Sequence, residues 1–270
     1  MLSPCIGVFD SGFGGLTVLK SLLEIVPAAD YLYFGDTARL PYGSKSVETV
    51  AKYAIEAAHF LERKGAHMLV IACNTATALA LDQIVGSARI PVVGVVEPGA
   101  QAAAAASETE AVVVIATEAT VNSHAYLRAL EAHGMDAHEM ACPLLVPLVE
   151  EGWINHAVTE QVARIYLDQA FSGVFQTADT LLLGCTHYPL IASVLRRVAP
   201  SHVNIVDSAE STARVVAADM QTHPYIAAGH PTHPSRLKFF VTDSPEKFRR
   251  LGEHFLGQPI EQVEHVDLKE

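Results

Sequence analysis

Short apolar runs recur along this chain, separated by longer stretches whose apolar residues repeat at helical spacing; that alternation restricts it to β-α units built on parallel sheet. The runs "CIGVF" at 5–9, "YLYF" at 31–34, "MLVIA" at 68–72, "VVGVV" at 92–96, "AVVVIA" at 111–116 and "TLLLG" at 180–184 read as buried strands. Between the second and third, Val47, Val50, Ala54, Ile55, Ala58 and Leu61 share one face of a helix. Pro98-Gly99 reads as the break after which a second β-α cycle begins. Further on, "VNIVDSAES" at 203–211 reads as a strand and a capped helix, 222–235 as a His- and Pro-rich loop, and "LKFFVT" as a last strand. With 270 residues, half of them hydrophobic, the chain can fill two cores. The expectation is two similar doubly wound parallel-sheet α/β domains facing each other across a cleft. Residues 1–97 plus 208–270 form a discontinuous N-terminal lobe in this reading, and 98–207 the C-terminal lobe.

Polar residues fall in one kind of place on this scaffold, just past the C-terminal end of a strand. Asp10 and Ser11 follow the first run, Cys73 and Asn74 the third, Thr117 the fifth, and Cys185, Thr186 and His187 the sixth. That edge of an open parallel sheet carries the ligand site, so these loops are expected to converge. A lone cysteine is usually a small core hydrophobe, and Cys5 and Cys142 take that reading. Cys73 and Cys185 differ, because each adjoins hydroxyl or amide side chains at a strand-to-helix turn, where exposed N–H groups favour a thiolate. His187 can orient a group or move protons; its plain alternative, like that of Asp10 as a cap, is structural. Glu150 and Glu151 in "PLVEEG" read in isolation as a solvated helix end.

Composition removes several classes of function. Eighteen Lys and Arg against 30 Asp and Glu leave a formal charge of −12, a poor field for nucleic acid or an anionic membrane. The N-terminus shows no basic segment followed by an apolar one, and no apolar run is long enough to span a bilayer; a cytoplasmic protein is expected. Four scattered cysteines without C-x-x-C speak for free thiols rather than disulfides or structural zinc. The cluster "DSGFGG" begins a G-x-G-x-x-G pattern, but Thr17 replaces the third glycine, so a nucleotide reading is weak and a turn able to cradle a carboxylate remains. His223, His230 and His233 read as surface residues rather than metal ligands. No lysine sits among the strand-end residues, against a pyridoxal phosphate enzyme.

"GVFDSGFGGLTVL", "DTARLPYGSKS", "ACNTATA", "GVVEPGA", "CPLLVPLVEEG", "LGCTHYPLI" and "DSAESTA", between residues 7 and 213, together resemble the ordered motifs of the glutamate racemases, within the aspartate/glutamate racemase superfamily. The resemblance implies cofactor-free interconversion of L- and D-glutamate, with D-glutamate supplied to peptidoglycan. It implies no metal. By motif match, Cys73 and Cys185 take the two base positions, supported by Asp10, Glu151 and His187. Asp10, Ser11, Pro41, Tyr42, Gly43, Asn74, Thr75, Thr117, Thr186 and His187 fall on substrate-binding positions. Ala116 stands where the motif has glycine, which leaves the backbone at Thr117 open. Arg39 is a further candidate for a substrate carboxylate. The partners expected are glutamate and a second copy of the chain, with neither nucleic acid nor membrane. An aspartate racemase, or a non-catalytic binder of acidic amino acids, shares these features.

The implied chemistry accounts for the residue types. Inverting an α-carbon removes a proton from one face and delivers another to the opposite face, so two acid/base groups must flank the substrate. A thiol, with an ordinary pKa near 8.5, can serve in either form once its surroundings adjust it. With no cofactor to delocalise the carbanion, hydrogen-bond donors aimed at the carboxylate must stabilise it.

Overall fold

The computed structural model describes residues 4–222 and 235–268. Its strands are β1 (Cys5–Asp10), β2 (Asp30–Gly35), β3 (Met68–Ile71), β4 (Val92–Gly94), β5 (Ala111–Ala116), β6 (Asp136–Ala141), β7 (Thr180–Gly184), β8 (Asn204–Asp207), β9 (Leu237–Val241) and β10 (Val263–His265). The helices are α1 (Leu16–Ile25), α2 (Val47–Arg63), α3 (Asn74–Ser87), α4 (Val96–Ala106), α5 (Glu118–Ser123), α6 (Ala125–Ala132), α7 (Leu145–Glu150), α8 (Ala157–Ala170), α9 (Ala192–Val198), α10 (Ser208–Thr222) and α11 (Pro245–Leu256).

Two sheets result, one in the order β10-β9-β2-β1-β3-β4 and one in the order β6-β5-β7-β8, with every pairing parallel. The stretch β2-β1-β3-β4 has the same winding as β6-β5-β7-β8. In each, the chain leaves its first strand to one side and then crosses to the other, which opens a crevice at the C-terminal ends of the two central strands. Those strands are β1 and β3 in one sheet, β5 and β7 in the other. The tail does return to the first sheet, where β9 pairs with β2 and β10 with β9.

Sequence expectation and structure part at several elements. The buried face of α2 is Val50, Ala51, Ala54, Ala57, Ala58 and Leu61; Val47, in its first turn, is 42% exposed. Pro98-Gly99 does not break the chain, because α4 has already begun at Val96. Proline is tolerated in a helix's first turn, where its missing N–H has no partner to lose. The strands β6 and β10 have no apolar run to announce them: they are sheet edges, "DAHEMA" and "VEH", in contact with solvent. The histidines at 223, 230 and 233 lie outside the described residues.

The main core runs without a break between the sheets, from Ile6, Val8 and Leu19 through Ala213 and Val216 to Val113, Leu181 and Leu183. Helix α10 is the shared layer, packed on α1 on one side and on α4 on the other. None of the helices among the described residues is long and apolar enough to cross a membrane.

Candidate active site

Where the two crevices face each other lies a cavity of about 330 Å³. The first sheet's side supplies Ser11, the Leu40–Ser44 loop, Cys73, Asn74 and Thr75; the second sheet's side supplies Thr117, Glu150, Glu151, Cys185, Thr186 and His187. Glycine permits this approach. A Cβ on Gly14 would collide with Thr186 Oγ1 and His187 Nδ1, and one on Gly43 would lie 2.8 Å from Thr117 Cβ. In "DSGFGG", Gly14 therefore serves the contact between the sheets, while Gly12 and Gly15 make room for Leu40 and Asp10 on their own side.

Cys73 ends the loop after β3 and caps α3, its sulfur accepting the Ala76 N–H at 3.4 Å and lying 3.5 Å from Ser11 Oγ. Helix end and N–H were expected to favour the thiolate. They are outweighed: burial, reinforced by the Asp10 charge, pushes the thiol up to about 12. The magnitudes explain the outcome, since a helix end offers an anion about 0.3–1 kcal/mol while burying an unpaired charge takes several. Behind Cys73, Asp10, expected as a substrate contact, is wholly buried and is not among the residues of the cavity wall. One carboxylate oxygen accepts the Gly12 N–H at 2.8 Å, and Oδ1 has no partner among the described residues. Burial raises its pKa against the opposing pull of His187.

Cys185 faces the cavity from the other side. The chain after it enters a 3₁₀ turn, Tyr188–Ile191, before α9, so this thiol does not cap an α-helix as expected. Its sulfur lies 3.8 Å from His187 Nδ1, and His187 Nε2 lies 3.1 Å from Glu150 Oε1. Burial alone would drive the ring toward neutrality, yet the Cys185 sulfur and the Glu150 carboxylate overcome it and lift the pKa to about 10. Both neighbours thus favour the protonated ring. Glu151, expected in the supporting role, lines the cavity mouth but is exposed; Glu150 is the carboxylate on His187, and not a solvated helix end.

Hydrogen-bond donors occupy the rest of the wall. Thr75, Thr117 and Thr120 form a triangle of hydroxyls between the sheets, with edges of 2.9, 2.9 and 3.2 Å. Thr117 sits in ordinary extended backbone (φ −70°), so alanine at 116 disturbs nothing there. The phenol of Tyr42 is taken up by Asp36 at 2.6 Å, leaving its ring, with Pro41 and Gly43, as the wall. Arg39 is likewise committed, 2.7 Å from Asp36 and stacked on Tyr53, and is not a carboxylate receptor. Among the described residues lining the cavity, His187 is the one side chain able to carry positive charge. Thr120, Tyr126 and Asp36 stand behind this wall; Asp36 opens the motif "DTARLPYGSKS" but was given no role, and no local pattern marked the other two. Among the described residues no group of three or more His, Cys, Asp or Glu side chains is placed to hold a metal.

Two crevices, each with one cysteine at a strand end, thus face each other across a cavity sized for a small molecule. The sequence fits the family described as Asp/Glu/Hydantoin racemase over residues 6–216. The chain belongs to that family. Among its relatives, the glutamate racemase of Koribacter versatilis (strain Ellin345) is 59% identical, with 98% of each chain covered. Two solved racemases superpose closely. Glutamate racemase from Francisella tularensis subsp. tularensis SCHU S4, in complex with D-glutamate, is 36% identical with a TM-score of 0.89. That from Thermus thermophilus, in complex with beta-chloro-D-alanine, is 43% identical with a TM-score of 0.88. Both comparisons cover 98% of this chain and 98% of the other.

Proposed function

We propose that this protein interconverts L- and D-glutamate by a two-thiol proton transfer that needs no cofactor, and that it supplies D-glutamate for peptidoglycan in the cytoplasm. The observation that carries the reading is the pair Cys73 and Cys185, which reach one cavity from opposite sheets. The names of the relatives, and the D-glutamate held by the Francisella protein, support the choice of substrate. The lobe division 1–97 plus 208–270 against 98–207 is part of this proposal, supported by the membership of β9 and β10 in the first sheet.

In the L-to-D direction, Cys185 acts as thiolate beside the His187 imidazolium and takes the α-proton, forming S–H and leaving the C–H electron pair on the α-carbon and its carboxylate. Cys73, held protonated by burial, delivers its proton to the opposite face. The product leaves with inverted configuration, Cys185 as thiol and Cys73 as thiolate. The reverse direction runs from that state, and exchange with solvent resets it. Ser11, Asn74, Thr75, Thr117 and Thr186 are the donors proposed to hold the carboxylates and stabilise the developing charge, since among the described residues no Lys or Arg lines the cavity. Asp10 is proposed to act through Cys73, and Glu150 through His187, with Glu151 at the entrance.

Circular dichroism of L-glutamate mixed with purified, EDTA-treated and dialysed protein tests the reading. Optical activity should decay to zero, and aspartate at equal concentration should lag far behind. Saturable binding with unchanged rotation would make this a binding protein, and activity that returned only with added zinc or pyridoxal phosphate would end the two-thiol account.

A further inference from the structure

Asn74 presents an unusual pair of contacts. Its Oδ1 accepts the Tyr126 hydroxyl at 2.5 Å, while its Nδ2 is buried without a hydrogen-bond partner among the described residues, on a side chain that lines the cavity. A buried amide group left unpaired is destabilising unless a ligand satisfies it. Tyr126 itself is wholly buried on α6, in the sheet opposite to the one that carries Asn74.

The direction of the amide follows from the hydrogens available. The Tyr126 phenol donates its proton to Asn74 Oδ1, so the amide turns its oxygen to the ring, and the Ser208 hydroxyl at the start of α10 lies close by. With the amide turned over, the phenol's proton would lose its acceptor and a carbonyl oxygen would point into the cavity. Space for this arrangement comes from Gly99, where a Cβ would lie 3.0 Å from Ser208 Cβ and 3.4 Å from Tyr126 Oη. Two motifs with no part in the cavity wall, "GVVEPGA" and "DSAESTA", thereby acquire a role.

We infer that Tyr126 is a positioning residue: from the opposite sheet it locks the Asn74 amide with its NH₂ toward the cavity, so that this donor is aimed at an anionic group of the substrate only while the two lobes are together. The inference rests on the racemase reading. A cavity poor in cations depends on such donors, and a turned amide would replace attraction by repulsion toward a carboxylate.

A double-mutant cycle tests it, reading kcat/KM for racemisation in the wild type, Tyr126→Phe, Asn74→Ala and the double variant, together with the Asn74 side-chain amide signals in ¹⁵N NMR of the ligand-free protein. The expected result is a roughly ten-fold loss in Tyr126→Phe, the size of one hydrogen bond to a charged group, with no further loss in the Asn74→Ala background. The amide should give one fixed pair of signals in the wild type and an averaged or doubled pair in Tyr126→Phe. Should Tyr126→Phe fail to fold, Ser208→Ala keeps the ring and removes the hydroxyl beside the phenol; it should lower kcat/KM in the same direction, by less. Equal losses in both backgrounds, or no loss with an unchanged amide signal, would overturn the inference. A wild type that does not racemise glutamate would instead remove the functional reading, and the ligand-free amide signals would still report on Tyr126.

Discussion

The cavity has two walls that share a winding order and differ in charge. On the first, Cys73 caps a helix and is backed by the buried Asp10 carboxyl, with its thiol pushed up to about 12. On the second, Cys185 follows a strand of the equivalent position but is backed by His187, lifted to about 10, and by Glu150 behind that ring. One sulfur thus neighbours a potential anion and the other a potential cation. Sheet topology places the two thiols alike, and the side chains behind them do not match: in the mechanism proposed above, the two bases of one inversion work in different electrostatic surroundings.

Serine at either position should erase the comparison entirely. A hydroxyl is far harder to deprotonate than a thiol, so Cys73→Ser and Cys185→Ser should each lower racemisation of both enantiomers beyond the roughly 10²–10⁴-fold usual for one acid/base group. Chiral chromatography of overnight reactions has the range to see it. Cys5→Ser and Cys142→Ser, chosen outside the cavity, should stay near wild-type rates.

Weakening only the cationic wall should have the next largest effect. Glu150→Gln removes the charge partner of a buried imidazolium, and the L-to-D rate should fall by about 10²-fold. The direct readout is NMR titration of the His187 ring in ligand-free protein, identified by its loss in His187→Asn. Its midpoint near 10 should drop toward the ordinary value in Glu150→Gln. The sign carries over to stability. A histidine whose folded-state pKa is raised contributes fully below its ordinary value near 6.5 and loses that contribution as pH rises through about 10. Chemical denaturation of wild type and His187→Asn should therefore differ most below pH 6.5 and converge above pH 10.

The smallest effect belongs to the neighbouring carboxylate. Glu151→Gln should leave steady-state rates within about three-fold of wild type, as an exposed substitution without a buried partner does. A loss equal to that of Glu150→Gln would mean that both carboxylates manage the same proton.

What the sequence shows of this site depends on how local each feature is. The cysteines were legible because strand ends are legible: a buried run followed by small polar residues marks a position in a parallel sheet. Glu150 and Glu151 are adjacent on a helix end, and only the packing of α7 decides which faces His187. Tyr126 and Thr120 reach the site from the opposite sheet, on helices whose own pattern describes their burial and nothing more. Val47 sits on the apolar stripe of α2 yet is exposed, because the packed surface covers the helix only from its second turn onward. Edge strands such as β6 carry no buried run, and so escape a reading built on apolar runs.

The central claim, two thiols serving opposite faces with separable tasks, is tested most directly by a reaction that needs only one of them. A glutamate analogue with a leaving group on the β-carbon expels it once the α-proton is gone, so no second proton need be delivered. Elimination by each single serine variant should be measured with both enantiomers of that analogue, beside circular dichroism to confirm folding. The account predicts a crossed result: Cys73→Ser, which retains the Cys185 base, eliminates from the L-like analogue alone, and Cys185→Ser from the D-like analogue alone. Loss of both eliminations in either folded variant, or equal elimination from both enantiomers, would contradict it.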